Sequence, residues 1–369
     1  RADTRPMNRI TVAPYGSWKS PIAADRVAAK SIQLAEVAAD GPDVYWIELR
    51  PAEGGRNVIV QRRPDGTTLD RTPKGFNART RVHEYGGGAY VVADGVIWFS
   101  NDSDQRIYRQ AGEAAPIAIT PAVSCRFADA VFDRTRHHLI SVREDHTGAG
   151  EAINTIVAIR ADGDLNGGTL LVSGNDFYAA PRLSPDGEYL AWLTWNHPNL
   201  PWDGCELWVA HVDKAGTLDE AVKVAGGPTE SICQPEWSPD GVLHFVSDRT
   251  DWWNLYRWRA GQVEALCPMA AEFGQPAWQF RFSNYGFADG GRIVCAYTQD
   301  GLGRIGLLEP GAGGLKPVES PFSIFGSLRV SGARALMLAG SATAPTAVTA
   351  LDLATLAWTS ISKASASEI

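Results

Sequence analysis

One short phrase occurs twice in this chain. Pro181-Arg182-Leu183-Ser184-Pro185-Asp186-Gly187 precedes the apolar run Tyr189-Leu190-Ala191-Trp192-Leu193. Pro235-Glu236-Trp237-Ser238-Pro239-Asp240-Gly241 precedes Val242-Leu243-His244-Phe245-Val246. Self-similarity at a fixed spacing marks a repeat architecture. Each copy reads as strand, tight turn, strand: proline pre-sets the φ of the turn, aspartate bonds its own backbone, and glycine accepts positive φ. Such a unit is the signature of a β-propeller blade.

The rest of the chain parses in the same way. From Ser31 onward, short strands are separated by Gly, Pro, Asn and Asp, with almost no convincing helix. The units fall at 32–72, 84–120, 125–173, 178–226, 232–267, 276–318 and 323–361. Runs such as Leu190–Thr194 and Val294–Tyr297 are apolar on both faces, as inner strands sandwiched between neighbouring blades must be. The predicted fold is therefore all-β. It is a seven-bladed β-propeller over 32–361, with a leader over 1–31 that holds a short helix at 21–30, and a linker over 362–369.

Composition narrows the function. A net charge of -8 argues against nucleic acid as the main partner, because phosphate binding needs a basic face. No apolar run is long enough for a transmembrane helix, and the first residues lack the apolar core of a secretory signal. Membrane association is not expected. Cys125, Cys205, Cys233, Cys267 and Cys295 are scattered and odd in number, which suits free thiols in a reducing cytoplasm.

Familiar catalytic signatures are missing. The chain has no Gly-x-Ser-x-Gly elbow, P-loop, HExxH or helix-opening GxGxxG, and no cofactor is implied. Asp162-x-Asp164-x-Asn166-Gly167 copies the start of a calcium loop, but Ser173 stands where a bidentate glutamate is required. A hairpin turn is the simpler reading. His137-His138 read as part of a strand.

Two loops resist a purely structural account. Trp195-Asn196-His197-Pro198-Asn199-Leu200-Pro201-Trp202-Asp203-Gly204-Cys205-Glu206 interrupts the fourth blade, and Ser247-Asp248-Arg249-Thr250-Asp251-Trp252-Trp253-Asn254 the fifth. Insertions at equivalent places should leave the disc on one face, bringing tryptophans, acids and an arginine together. That composition suits a small cationic ligand with an apolar body. Tryptophans packed between blades and acids capping turns would account for the same residues structurally. A third segment, Arg81-Val82-His83-Glu84-Tyr85-Gly86-Gly87-Gly88, places three glycines where a strand should begin, implying close backbone approach near the central axis. Glu84 is a further candidate there, beside a structural role.

At these loops the sequence resembles the N-terminal propeller half of a prolyl oligopeptidase family (S9) serine peptidase, nearest to bacterial dipeptidyl, acylaminoacyl and puromycin-hydrolysing aminopeptidases. Tyr15-Gly16-Ser17-Trp18 with Ser20-Pro21-Ile22, His83–Gly88, Trp195–Leu207 and Ser247–Trp258 carry the likeness. The resemblance implies a propeller that caps a C-terminal α/β-hydrolase domain, which supplies the Ser-Asp-His triad and which this chain is expected not to contain. The propeller would then exclude folded proteins and admit short peptides or aminoacyl amides. The resemblance also implies roles for individual residues. Glu206 would anchor the substrate ammonium, with Asp203 as second choice. Arg249 would orient the substrate carbonyl or hold Glu206, and Trp202, Trp252 and Trp253 would wall the pocket. On its own the chain is expected to be inactive. A free-standing propeller serving as a protein-interaction platform is the alternative, and the sequence leaves a homo-oligomer open.

Overall fold

The computed structural model describes residues 12–20, 32–311 and 314–364. The helix expected at 21–30 and residues 365–369 of the expected linker lie outside the described residues. Residues 12–20 form an irregular segment whose turn is closed by Ser17 onto the Pro14 carbonyl and by the Trp18 indole N–H onto the Ala13 carbonyl. The helical content described is two single turns, Pro51–Glu53 and Asp289–Gly291.

The remaining regular structure is sheet. Among the described residues, twenty-eight strands form seven four-stranded antiparallel sheets, and each sheet takes its strands consecutively from the sequence. These are the seven blades predicted from the repeat, at 33–70, 90–118, 125–172, 177–226, 232–265, 285–318 and 324–363. The first strands of successive blades pack on one another and so line the axis.

Both Ser-Pro-Asp-Gly phrases make the same turn. The Ser184 hydroxyl donates to Asp186 (2.5 Å) and the Ser238 hydroxyl to Asp240 (2.6 Å), and Gly187 and Gly241 take φ of 76° and 78°. Behind each turn runs a strand buried on both faces, Tyr189–Trp195 or Leu243–Ser247. Apolar clusters fill the seams between neighbours: Leu193, Leu207, Leu243 and Phe245 join blades four and five, and Trp46, Val60, Leu336 and Val348 join blades one and seven. The expected turn at 162–167 links the last two strands of blade three, with the Asp164 carboxylate accepting from the Asn166 N–H.

The first strands share a further device. In blades one, three, four, five and seven the register slips at one point, where Glu36, Asp129, Ala180, Gln234 or Ser327 holds a left-handed φ between 47° and 54°. Such β-bulges turn a strand and free its next backbone groups. Four of the bulge side chains accept a backbone N–H from the adjoining blade: Glu36 from Ala89, Asp129 from Ala180, Gln234 from Asn284, and Ser327 from Val37.

Candidate functional site

Blades two and six are not neighbours in the ring, yet the segments leading into them meet across the channel. Phe280 donates its N–H to the Gly86 carbonyl (2.9 Å), Gly87 and Phe280 form a parallel bridge, and the Gln279 amide reaches the Tyr85 carbonyl. Gly88 in turn accepts the Asp129 N–H at 2.9 Å. A Cβ at Gly87 would lie 2.7 Å from the Phe280 carbonyl oxygen, and one at Gly88 would lie 2.8 Å from the Asp129 nitrogen. Only glycine permits this approach. The result is a two-segment strap over the axis, where the glycine triplet pointed.

Beside the strap opens a cavity of about 780 Å³, within the range of small-molecule sites. Its walls come from the strap, the first strands Phe177–Leu183 and Ile232–Trp237, and the loops at 144–154 and 195–202. Aromatic rings line it. Phe177 stacks on Trp195 with centroids 5.5 Å apart, and the His83 ring lies edge-on to both and tilted against Phe280 at 4.9 Å. At the mouth Trp202 and Trp278 meet at 4.4 Å with Tyr85 edge-on at 5.0 Å, and Trp278 remains 51% exposed. Burial among these rings lowers the His83 imidazole to about 4, so it is neutral at pH 7. The His83 imidazole and the Asn154 side chain are buried as hydrogen-bond neighbours, a contact that opposes the burial shift on His83.

Charge is distributed unevenly. The Arg126 guanidinium holds Glu84 at 2.8 Å and Glu144 at 3.1 Å from the same nitrogen, so one cation serves two carboxylates. The Arg126 hydrogen bond keeps the Glu84 carboxyl below the usual carboxylate range. Glu144 also accepts the His83 backbone N–H and lies 2.9 Å from His146 Nε2. Asn154 is its cross-strand partner in blade three. Elsewhere in the cavity wall Arg182 bridges Asp129 (3.0 Å) and Glu236 (3.2 Å), and Arg281 approaches Asp129 at 3.7 Å.

The structure brings two of the sequence-proposed residues, Glu84 and Trp202, into this cavity. The other five do not line it. Glu206 opens the strand Glu206–His211, where its carboxylate takes the Trp208 indole N–H (3.0 Å) and Lys223 Nζ (3.2 Å). Asp203 turns back to cap its own loop, accepting the Leu200 N–H. Arg249 is engaged through two nitrogens with Glu230 and lies over the Tyr256 ring. Trp252 sits on the rim of blade five, 41% exposed. Trp253 is pinned under the 271–275 segment, which takes its backbone N–H through Glu272 and its carbonyl through Phe273. That segment links blades five and six. Glu144, Asn154, Phe177, Trp278 and Arg281 went unread in the sequence. Trp278-Gln279-Phe280-Arg281-Phe282 alternates apolar and polar residues as a strand would, so nothing in the pattern marked it as a segment that crosses the channel.

No family model and no curated protein matches the chain. Among solved structures, a puromycin-hydrolysing peptidase of Mycobacterium tuberculosis matches with a TM-score of 0.91 and 34% identity, over 98% of this chain and 58% of that one. A puromycin hydrolase matches with a TM-score of 0.90 and 35% identity, over 96% and 57%. Prolyl oligopeptidase B of Galerina marginata, at 11% identity and a TM-score of 0.65, shares the fold. The chain thus spans a little over half the length of its puromycin-hydrolysing relatives. Through nearly all of its own residues it matches the N-terminal propeller half of peptidases of the prolyl oligopeptidase family.

Proposed function

We propose that this propeller binds the free amino end of short peptides or aminoacyl amides and gates their access to the active site of a serine peptidase. The carrying observation is that Glu84 and Glu144, both in the wall of the aromatic-lined cavity, share the single Arg126 guanidinium. A substrate ammonium supplies the missing positive charge, and the aromatic faces take up its apolar body. The likeness to a puromycin hydrolase solved in complex with PGG supports a ligand of this size. Glu84 and Glu144 take the anchoring role that the resemblance put on Glu206, whose carboxylate is already held by Lys223.

The gating part of the proposal rests on the strap, which lies across the axis and leaves the cavity to be reached beside it. A peptidase so covered works on short, extended substrates with bulk water held back. The test compares free-amine ligands with their N-acetyl forms. Glu144→Gln and Glu84→Gln should each weaken leucinamide about ten- to a hundredfold, as expected for one charge-assisted hydrogen bond. N-acetyl-leucinamide should change by less than twofold. Equal losses for both ligands would sink the ammonium-anchor reading.

A further inference from the structure

Three guanidiniums, those of Arg182, Arg281 and Arg329, gather around the channel beneath the strap, and their carboxylates do not balance them. Arg182 is matched by Asp129 and Glu236. Arg281 must share Asp129. It donates through Nη2 to the Ala130 carbonyl, while its Nη1 has no protein partner among the described residues. Arg329 donates only to the carbonyls of Leu328 and Arg281, and no carboxylate stands within ion-pair distance of it among the described residues. Burial and the adjacent Arg281 charge pull Arg329 down to about 10. The remaining carboxyl at the channel wall, Glu36, is pushed up to about 7 by burial, so at neutral pH it offsets only part of a charge. Arg281 also holds a left-handed φ of 64°, a conformation that costs a non-glycine residue energy and concentrates at functional positions.

A guanidinium with a free edge in the wall of a cavity is the natural receptor for a carboxylate. We propose that Arg281, with Arg182 and Arg329 behind it, forms a carboxylate subsite that selects short peptides with a free C-terminus. The inference rests on the amine-binding reading for the other end of the ligand. Together the two sites make the cavity bipolar and suited to a zwitterion. Arg281 contacts the ligand, whereas Arg329, which does not line the cavity, acts by adding positive field and by holding the Arg281 carbonyl.

The experiment titrates the chain with leucyl-glycyl-glycine, its C-terminal amide and its N-acetyl derivative, reading Kd by ligand-observed NMR. The free acid should bind about tenfold more tightly than the amide. Arg281→Gln should erase that preference, and Arg329→Gln should reduce it. Should Arg281→Gln fail to fold, the Arg329→Gln ratio decides. Acetate should compete with the acid and not with the amide. Equal Kd values for acid and amide overturn the carboxylate subsite while leaving the amine reading intact, provided the N-acetyl peptide is still discriminated. Loss of N-acetyl discrimination with the acid preference retained overturns the amine reading alone. Absence of binding by every peptide overturns both.

Discussion

At the scale of single residues, a glycine of the strap and one of a blade-two hairpin separate two costs that are usually confounded. Gly86 and Gly95 have similar positive φ, 66° and 73°. A Cβ at Gly95 meets nothing, whereas one at Gly86 would lie 2.2 Å from the Thr80 carbonyl oxygen. Gly95→Ala therefore carries only the left-handed backbone penalty, about 1 kcal/mol. Gly86→Ala adds a backbone clash that no rotamer relieves, and it should cost at least about 2 kcal/mol more. Urea denaturation midpoints of the two variants check this, and a difference within error would show that the strap yields freely. The close approach was legible in the sequence because three consecutive glycines at a strand start have few other uses. Which partner they approach was not, since Phe280 belongs to a blade far along the chain.

At the scale of elements, the bulges turn the first strands into a ring of side-chain acceptors. Their contributions should be graded. Ser327→Ala strips one acceptor from the Val37 N–H where the last blade meets the first, a loss of about 1–2 kcal/mol. Asp129→Ala removes the acceptor of Ala180 and also the carboxylate shared by Arg182 and Arg281, which leaves buried charge uncompensated and should cost about 3–5 kcal/mol. Thermal unfolding of the two variants orders them, and a smaller loss for Asp129→Ala would mean that the arginines find other partners. Strand positions were readable because turn chemistry and two-faced burial leave marks at every blade. The site was read less well for a physical reason. Glu206 and Arg249 lie in tryptophan-rich loops, but composition does not say which way a side chain turns: Lys223 and Trp208 hold Glu206, and Glu230 holds Arg249. Glu144 and Asn154 sit in an ordinary-looking hairpin and acquire meaning only when the strap delivers His83 and Glu84 beside them.

For the whole molecule, closure and pH are linked through the axis. Among the described residues, blades one and seven each keep their own four strands. Blades one and seven meet through the Trp46–Leu336 seam, the Ser327 bond and an Ile32 N–H to Ala364 carbonyl bond. Around this ring two kinds of buried group oppose each other. His83 and His244 are both held down to about 4 by burial, so their stabilisation is complete above an ordinary histidine value and is lost as pH falls from there towards 4. Glu36 is raised to about 7. Its contribution is complete at acid pH below the ordinary glutamate value and disappears as pH rises towards 7. Between pH 7 and pH 5 each histidine loses about 2 kcal/mol and Glu36 regains about 2 kcal/mol, leaving a net loss of about 1–2 kcal/mol. Glu36→Gln removes the regained part, so the variant should lose about 3–4 kcal/mol over the same interval. Chemical denaturation at pH 5, 6, 7 and 8 measures both slopes. If the two proteins lose stability in parallel on acidification, Glu36 does not take up a proton at the channel wall. A steeper fall in the variant would make that carboxyl the group that holds the ring together in acid.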